Sequence, residues 1–242
     1  MTLVRGRVVD GWAGREGRGH DGGVRITRLG HAALLLETDR ARVLVDPGAF
    51  SLDDAFTARD LDAVVVTHQH PDHLHPDRAR ELVEANPQAL FVADPETAEQ
   101  QGEPWQAHRA GHVTEIGDLT LTGVGERHAV ILPALPVVAN VGLLVEGPSA
   151  DGGRVRLFHP GDSYASIPDG VDVLALPLSA PWARIADTVE FLQTVSPSNL
   201  LPIHDATISE VAYGVYWNHV VNFGGVDADR AHRLTPGQRL DV

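Results

Sequence analysis

The chain has 242 residues, enough for one sizeable α/β domain with a full core. Its formal charge of −14 argues against phosphate backbones and anionic membranes as partners. It contains neither cysteine nor lysine, all 19 basic residues being arginine, which excludes disulfides, thiolate nucleophiles, cysteine metal ligands and Schiff-base chemistry.

The first nine residues lack an apolar signal-type core, and no apolar run reaches membrane-spanning length, so a cytoplasmic location is expected. Residues 11–23 are rich in glycine and charge and read as a surface loop, with His20 solvated within it. Residues 24–29 alternate as a strand does. Gly30 breaks that strand, 32–37 resume the extended pattern, and 42–46 form the next strand, closed by Pro47-Gly48. Asp46 ends this strand as a candidate support for the site that follows. The apolar run Ala63-Val64-Val65-Val66 reads as a buried strand. It leads into Thr67-His68-Gln69-His70-Pro71-Asp72-His73-Leu74-His75-Pro76, and Pro76 opens a helix over 77–84. Four histidines in eight residues, with one aspartate, are therefore held on a short loop between a strand and a helix. Neutral imidazole and carboxylate are ligands for zinc and similar divalent ions. Imidazoles this crowded repel one another when protonated, and a bound cation removes that repulsion.

Residues 89–93 read as a strand and 95–101 as a short helix; His108 and His112 fall in the connection beyond. Residues 119–124 alternate and are expected to begin a second sheet, with His128 just past them. At 155–163 an apolar strand delivers Asp162 beside Gly161, and a carboxylate so placed has the charge and geometry to bridge two divalent ions. His159 is expected to bond locally. Residues 171–177 form another buried strand, followed by a loop in which Trp182 either walls a pocket or packs. A helix spans 186–195, with Val189, Leu192 and Val195 on one face. Residues 200–204 are a strand ending in His204. Thr207 and Glu210 suggest a capping box for a helix over 208–221. Its stripe of Tyr213, Tyr216, Trp217 and Val220 fits a core or a subunit interface, which leaves a homo-oligomer open. A short strand lies within 233–242.

His68-x-His70-x-Asp72-His73 at the end of an apolar strand resembles the H-x-H-x-D-H signature of the metallo-β-lactamase superfamily. Gly30-His31-Ala32 resembles an element of the branch that includes ascorbate-6-phosphate lactonase-like proteins and N-acyl-phosphatidylethanolamine phospholipase D. The likeness covers roughly residues 24–210. It implies a four-layer αββα sandwich in a single domain spanning 1–242, with 1–23 as an N-terminal strand and glycine-rich loop. It further implies two divalent ions, zinc first, with manganese, iron or nickel as alternatives. The first ion would take His68, His70 and His128, the second Asp72, His73 and His204, and Asp162 would bridge them. His128 matches because it lies 55 residues beyond His73, where the family places a ligand. Residues 137–146, containing Asn140-Val141-Gly142, resemble the next strand of the superfamily. Asp72 would orient a metal-activated hydroxide and carry its proton, and His31 would be either a catalytic neighbour of the metals or a hydrogen-bonded core histidine. The implied activity is hydrolysis of a small soluble ester, lactone or phosphoester. A metal-stabilised binding protein with little turnover, and a phosphodiesterase acting on a lipid or nucleotide, are the alternatives. The expected partner is a small-molecule substrate, with neither nucleic acid nor membrane.

The charge makes one of these expectations directly measurable. In a mobility assay at physiological salt the protein should leave tRNA and duplex DNA unshifted. A tight complex that weakens steeply with added salt would contradict the reading of the acidic surface.

Overall fold

A computed structural model of the chain describes residues 7–9 and 22–242. The loop expected at 11–23, with His20, therefore lies almost wholly outside the described residues. Residues 7–9 form β1 (Arg7–Val9), whose backbone pairs with the last strand, β14 (Arg239–Asp241).

The first sheet then runs through β2 (Arg25–Arg28), β3 (Leu34–Glu37), β4 (Arg42–Val45), β5 (Ala63–Val66), β6 (Leu90–Ala93) and β7 (Trp105–Ala107), in the order β1-β14-β2-β3-β4-β5-β6-β7. The pairs up to β3–β4 are antiparallel, and from β4 to β7 they are parallel. The second sheet is β13-β12-β11-β10-β9-β8. It comprises β8 (Val113–Ile116), β9 (Leu119–Val124), β10 (Gly142–Pro148), β11 (Arg154–His159), β12 (Val173–Pro177) and β13 (Asn199–Ile203). Only β11–β12 and β12–β13 are parallel in it.

Alternation along each strand sorts the apolar side chains into three layers. Ile26, Leu34, Leu36, Val43, Val45 and Val65 face Leu143, Val145, Leu157, Val173 and Ile203 between the sheets. The other faces of the same strands, with Leu35, Leu44, Val64 and Phe91, take α1 (Asp53–Thr57), α2 (Ala79–Ala85) and α3 (Pro95–Gln101). On the far side Leu144, Phe158, Leu174 and Leu200 take α4 (Ile185–Val195) and α5 (Glu210–Phe223). Strands covered on both faces are apolar throughout, as β5 and β12 are. The architecture is the αββα sandwich. None of its described helices is long and apolar enough to cross a membrane.

Several boundaries differ from the sequence expectation. The second sheet begins at β8, not β9; the pattern of β8 is weak because it is an edge strand whose side chains are half-buried or exposed. Helix α5 starts at Glu210, and its cap is Ser209, whose side chain accepts from the Ala212 amide; Thr207 lies outside the helix. Its aromatic stripe packs on the α4 side of the core. In α4 the buried residues are Thr188, Phe191 and Leu192, with Val195 packed beside them, so the buried face is rotated from the one expected. Residues 137–141 are not strand; β10 begins only at Gly142.

The turn after β4 is strapped to the histidine loop. The Ala49 amide donates to Pro71 O at 2.7 Å, and the His75 amide donates to Pro47 O at 3.0 Å. Gly48 sits so close that a Cβ there would lie 1.8 Å from the Asp72 carbonyl oxygen. Both partners are backbone, so neither yields by a rotamer change. Gly48→Ala should lower stability by about 1–3 kcal/mol, measured as a fall in melting temperature of several degrees. Unchanged melting would mean that the turn and the histidine loop are not so closely apposed.

Candidate metal centre

The ends of the strands on one side of the sandwich bring the site together. His31 comes from the turn between β2 and β3, and Asp46 from the end of β4. His68, His70, Asp72 and His73 follow β5, His128 follows β9, Asp162 follows β11, Trp182 follows β12 and His204 follows β13. Three of these residues have left-handed backbones: His31 (φ 45°), Asp46 (φ 47°) and His204 (φ 53°). Non-glycine residues adopt this region rarely and at some cost, and such residues concentrate at functional sites. Here the twist ends the strand and swings the side chain into the centre. The His204 amide donates to His31 O at 3.1 Å, so two of the strained residues hold each other.

Two clusters of candidate ligand atoms result: His68, His70, His128 and Asp162; and His31, Asp72, His73 and His204. All the residues expected to hold metal fall in one or the other, and His108, His112 and His159 fall in neither. His159 is buried, with Nε2–H donating to Ala32 O at 2.9 Å and Nδ1 accepting from the Gly161 amide. Most centre residues are buried; His70 and Asp72 are half-buried and open the site to solvent.

The hydrogen bonds fix how each imidazole is protonated. His73 Nδ1–H donates to Asp46 Oδ2 at 2.7 Å, His128 Nδ1–H to Ala129 O at 2.6 Å and His204 Nδ1–H to Ser179 O at 2.7 Å. Thr67 Oγ1 gives its proton to Asp46 Oδ2, so it accepts from His68 Nδ1–H at 3.0 Å. When neutral, each of these four rings therefore turns an Nε2 lone pair inward, and that of His68 meets His70 Nδ1 at 3.1 Å. The Nε2 atoms of His73, His128 and His204 meet Asp162 oxygens at 3.1, 3.3 and 3.1 Å respectively. Asp162 Oδ1 and the Nε2 atoms of His73 and His204 are buried without a properly directed hydrogen bond. Acceptor set against acceptor is unfavourable unless a cation lies between, and only protons or metal ions are small enough. The donor set is nitrogen and carboxylate oxygen, at the number and mix that divalent transition ions favour.

His31 behaves differently. Its Nδ1 accepts from the Ala206 amide at 3.3 Å, so Nε2 carries the proton and donates to Asp72 Oδ2 at 3.2 Å. Both ring nitrogens are thus committed, and the ring orients a carboxylate. Sequence reasoning raised Asp46 as a support, and its carboxylate accepts from the Thr67 amide and hydroxyl as well as from His73. It missed Trp182 as a polar partner: Nε1–H donates to Asp162 Oδ2 at 2.9 Å. It also missed Asn140, whose Oδ1 takes the Asp162 amide at 2.9 Å. No periodicity marks either residue, because both lie in irregular backbone.

Charge follows the same geometry. Burial pushes the His68 ring well below its ordinary range, and the neighbouring His73 adds to this. Burial also acts downward on His73, but the Asp162 and Asp46 carboxylates outweigh it and hold that ring well above its ordinary value. For His204, burial is likewise outweighed by Asp162, and the ring is pushed up to about 9. Burial raises Asp162, and the His73 and His204 charges overcome this and keep it strongly acidic.

An αββα sandwich with two histidine–carboxylate clusters at its strand ends defines a class of metal-binding architecture. A family model described as the β-lactamase superfamily domain matches residues 25–204, and the chain belongs to that metallo-β-lactamase superfamily. The chain is similar to Protein Rv0786c of Mycobacterium tuberculosis, 42% identical over 205 residues that cover 84% of this chain and 94% of the relative. It is also similar to a metal-dependent hydrolase of Methanopyrus kandleri, 27% identical over 78% of this chain and 86% of the relative. In fold it resembles Igni18, a metallo hydrolase of Ignicoccus hospitalis, with a TM-score of 0.66 at 20% identity, covering 89% of this chain and 97% of that one.

The pKa directions give a signed pH effect for metal-free protein. His73 and His204 bind protons more tightly folded than unfolded, so their stabilisation is complete below about 6.5 and is lost as pH rises. For His204 the loss runs up to about 9. His31, His68 and His70 are lowered, so near pH 6.5 they hold protons only in the unfolded chain and oppose this trend, and above about 7.5 they are neutral in both states and do not contribute. Metal-stripped protein should therefore melt at progressively lower temperature between pH 7.5 and 9. His204→Ala should flatten the slope. A melting temperature that rises across this window would contradict the assignment.

Proposed function

We propose that the protein is a metal-dependent hydrolase acting on a small, soluble ester, lactone or phosphoester. The observation that carries this reading is the set of bare Nε2 atoms turned on Asp162 within a solvent-open pocket. The hydrolase names of the relatives support it. In this reading His68, His70 and His128 hold one ion, Asp72, His73 and His204 hold the other, and Asp162 lies between. Zinc suits the donors; manganese, iron and nickel share the preference. When bound, such ions acidify a water towards neutral pH and polarise the scissile group.

The chain's own residues do the rest. Asp46 and Thr67 fix the His68 and His73 rings, so the donor atoms are aimed before any ion arrives. His31 holds Asp72 by one oxygen. Asp72, partly open to solvent, is placed to orient the attacking water and carry its proton outward. Trp182 holds Oδ2 of Asp162 and closes the buried side. The half-buried His70 and Asp72 favour turnover over a sealed structural site, because structural sites present no open position. We place the activity in the cytoplasm on a small molecule, without nucleic-acid or membrane partners.

Protein loaded with zinc should hold close to two ions per chain by elemental analysis. His70→Ala should lose metal, and its turnover should fall by about a hundredfold or more. His31→Ala should keep its metal and lose about 10–100-fold in turnover, as removal of a ligand-orienting group does. Loss of metal from the His31 variant would overturn the tautomer deduced above. Full turnover with only a lower melting temperature would make the ring a packing residue. Metal-free wild-type protein with undiminished activity would sink the whole reading.

A further inference from the structure

Beside the His68 cluster lies a cavity of about 200 Å³. Two of its lining residues, His70 and His128, belong to that cluster. The rest of its wall is aliphatic, chiefly Ile131, Leu135, Val137 and Val138, from the connection between β9 and β10. Part of this connection, residues 137–141, was expected as strand from the family resemblance. Instead it leaves the sheet at Val124 and arches over the site, anchored at its base. The His128 amide donates to Val138 O at 3.1 Å, the Ala129 amide to Asp162 O at 2.8 Å, and the Asn140 amide to Glu126 O at 3.1 Å. The arch keeps apolar side chains in water: Val130 is 57% exposed, Leu132 56% and Leu135 49%. Apolar surface clustered at a site costs free energy unless something covers it, and such patches mark binding surfaces.

We propose that this arch is the specificity wall for the apolar part of an uncharged ester or lactone. The inference rests on the hydrolase reading and narrows its substrate class. An aliphatic cavity of about 150 Å³ already accommodates a benzene ring, so this one has room for a phenyl group or a chain of comparable size. Among the described residues the wall carries no arginine, so no guanidinium described in it offers the forked hydrogen bonds that recognise phosphate. An apolar group seated against Leu135 and Val138 lies next to His70 and His128, which puts the bond attached to it at the centre. A phosphoryl group seated there would set its charge against aliphatic side chains that offer it no cation.

The test is a chain-length series followed by acid release in a pH-stat, on zinc-loaded protein. The substrates are ethyl acetate, ethyl hexanoate and ethyl phenylacetate, all monomeric in solution, with bis(4-nitrophenyl) phosphate followed by its colour. The hexanoate and phenylacetate should exceed the acetate in kcat/KM by about tenfold or more, since each buried methylene adds to binding. Leu135→Asp, at a side chain already half in water, should fold normally and compress that ratio towards unity by raising KM for the long substrates. Hexanamide, a neutral binder that reports without turnover, should bind wild-type protein in a calorimetric titration and fail to bind the Leu135 variant. Equal rates along the ester series, or turnover confined to the phosphodiester, would overturn the wall while leaving the hydrolase intact. Turnover only of esters embedded in phosphatidylcholine vesicles would overturn it in favour of a lipid substrate. If none of these substrates turns over, hexanamide alone decides the wall: binding lost in the variant supports it, and no binding overturns it.

Discussion

Each imidazole that faces Asp162 has its Nδ1–H committed to a fixed oxygen of the protein, and the rest of the centre follows from that. Once Asp46, Ala129 O and Ser179 O hold the Nδ1 protons of His73, His128 and His204, the Nε2 lone pairs have nowhere to point but inward. A carboxylate in their midst then creates a pocket of negative potential lined with donors for a cation. The alternative tautomers would leave two half-buried carbonyls and the Asp46 carboxylate short of a proton, each at the cost of an unmade hydrogen bond. The site is therefore built from outside in. The oxygens belong to strand ends whose positions the sheets already set, and the tautomers follow from the oxygens.

The same logic explains the uneven distribution of strain. His31, Asp46 and His204 adopt left-handed backbones at the ends of otherwise regular segments. A strand continued in extended geometry would alternate its side chains between the two sheet faces, both of which are packed with apolar residues. Breaking the alternation at the last residue is what releases a polar side chain towards the strand end. Each departure costs on the order of 1–3 kcal/mol, and it is offset by hydrogen bonds local to it. Asp46 accepts three, and His204 is bonded at its amide and at Nδ1.

What the sequence made legible was whatever depends on short-range pattern. The central strands were plain because burial on both faces leaves them wholly apolar, and the loop after Val66 was plain because its histidines are dense. Asp162 and His204 could be assigned candidate roles only with the family resemblance beside them, since an isolated acid or histidine at a strand end has no signature of its own. Edge strands β7 and β8 escaped because partial exposure erases their alternation. The cap of α5 was misplaced by two residues because Thr207 and Ser209 both suit an N-cap, and only the fold decides between them. The strand expected at 137–146 from the resemblance begins only at Gly142, because the residues before it belong to a connection that keeps Val130, Leu132 and Leu135 exposed.

Trp182 shows how the helix layer reaches the chemistry. Its Nε1–H donates to Asp162 Oδ2, and its ring meets Tyr164 edge-on at 4.8 Å. Tyr164 in turn stacks on Phe191 of α4 at 4.4 Å and donates its hydroxyl proton to Pro177 O at 2.6 Å. Burial pushes that phenol well above its ordinary range and holds it protonated, so it remains a donor. The central carboxylate is thereby tied through two aromatic rings to the packing of α4 on the second sheet, while Asn140 fixes its backbone from the β10 side. A carboxylate held from both flanks cannot rotate to follow an incoming ligand. The parts of the site with fewer ties are the half-buried His70 and Asp72 and the apolar arch, and these are the parts that lie nearest solvent.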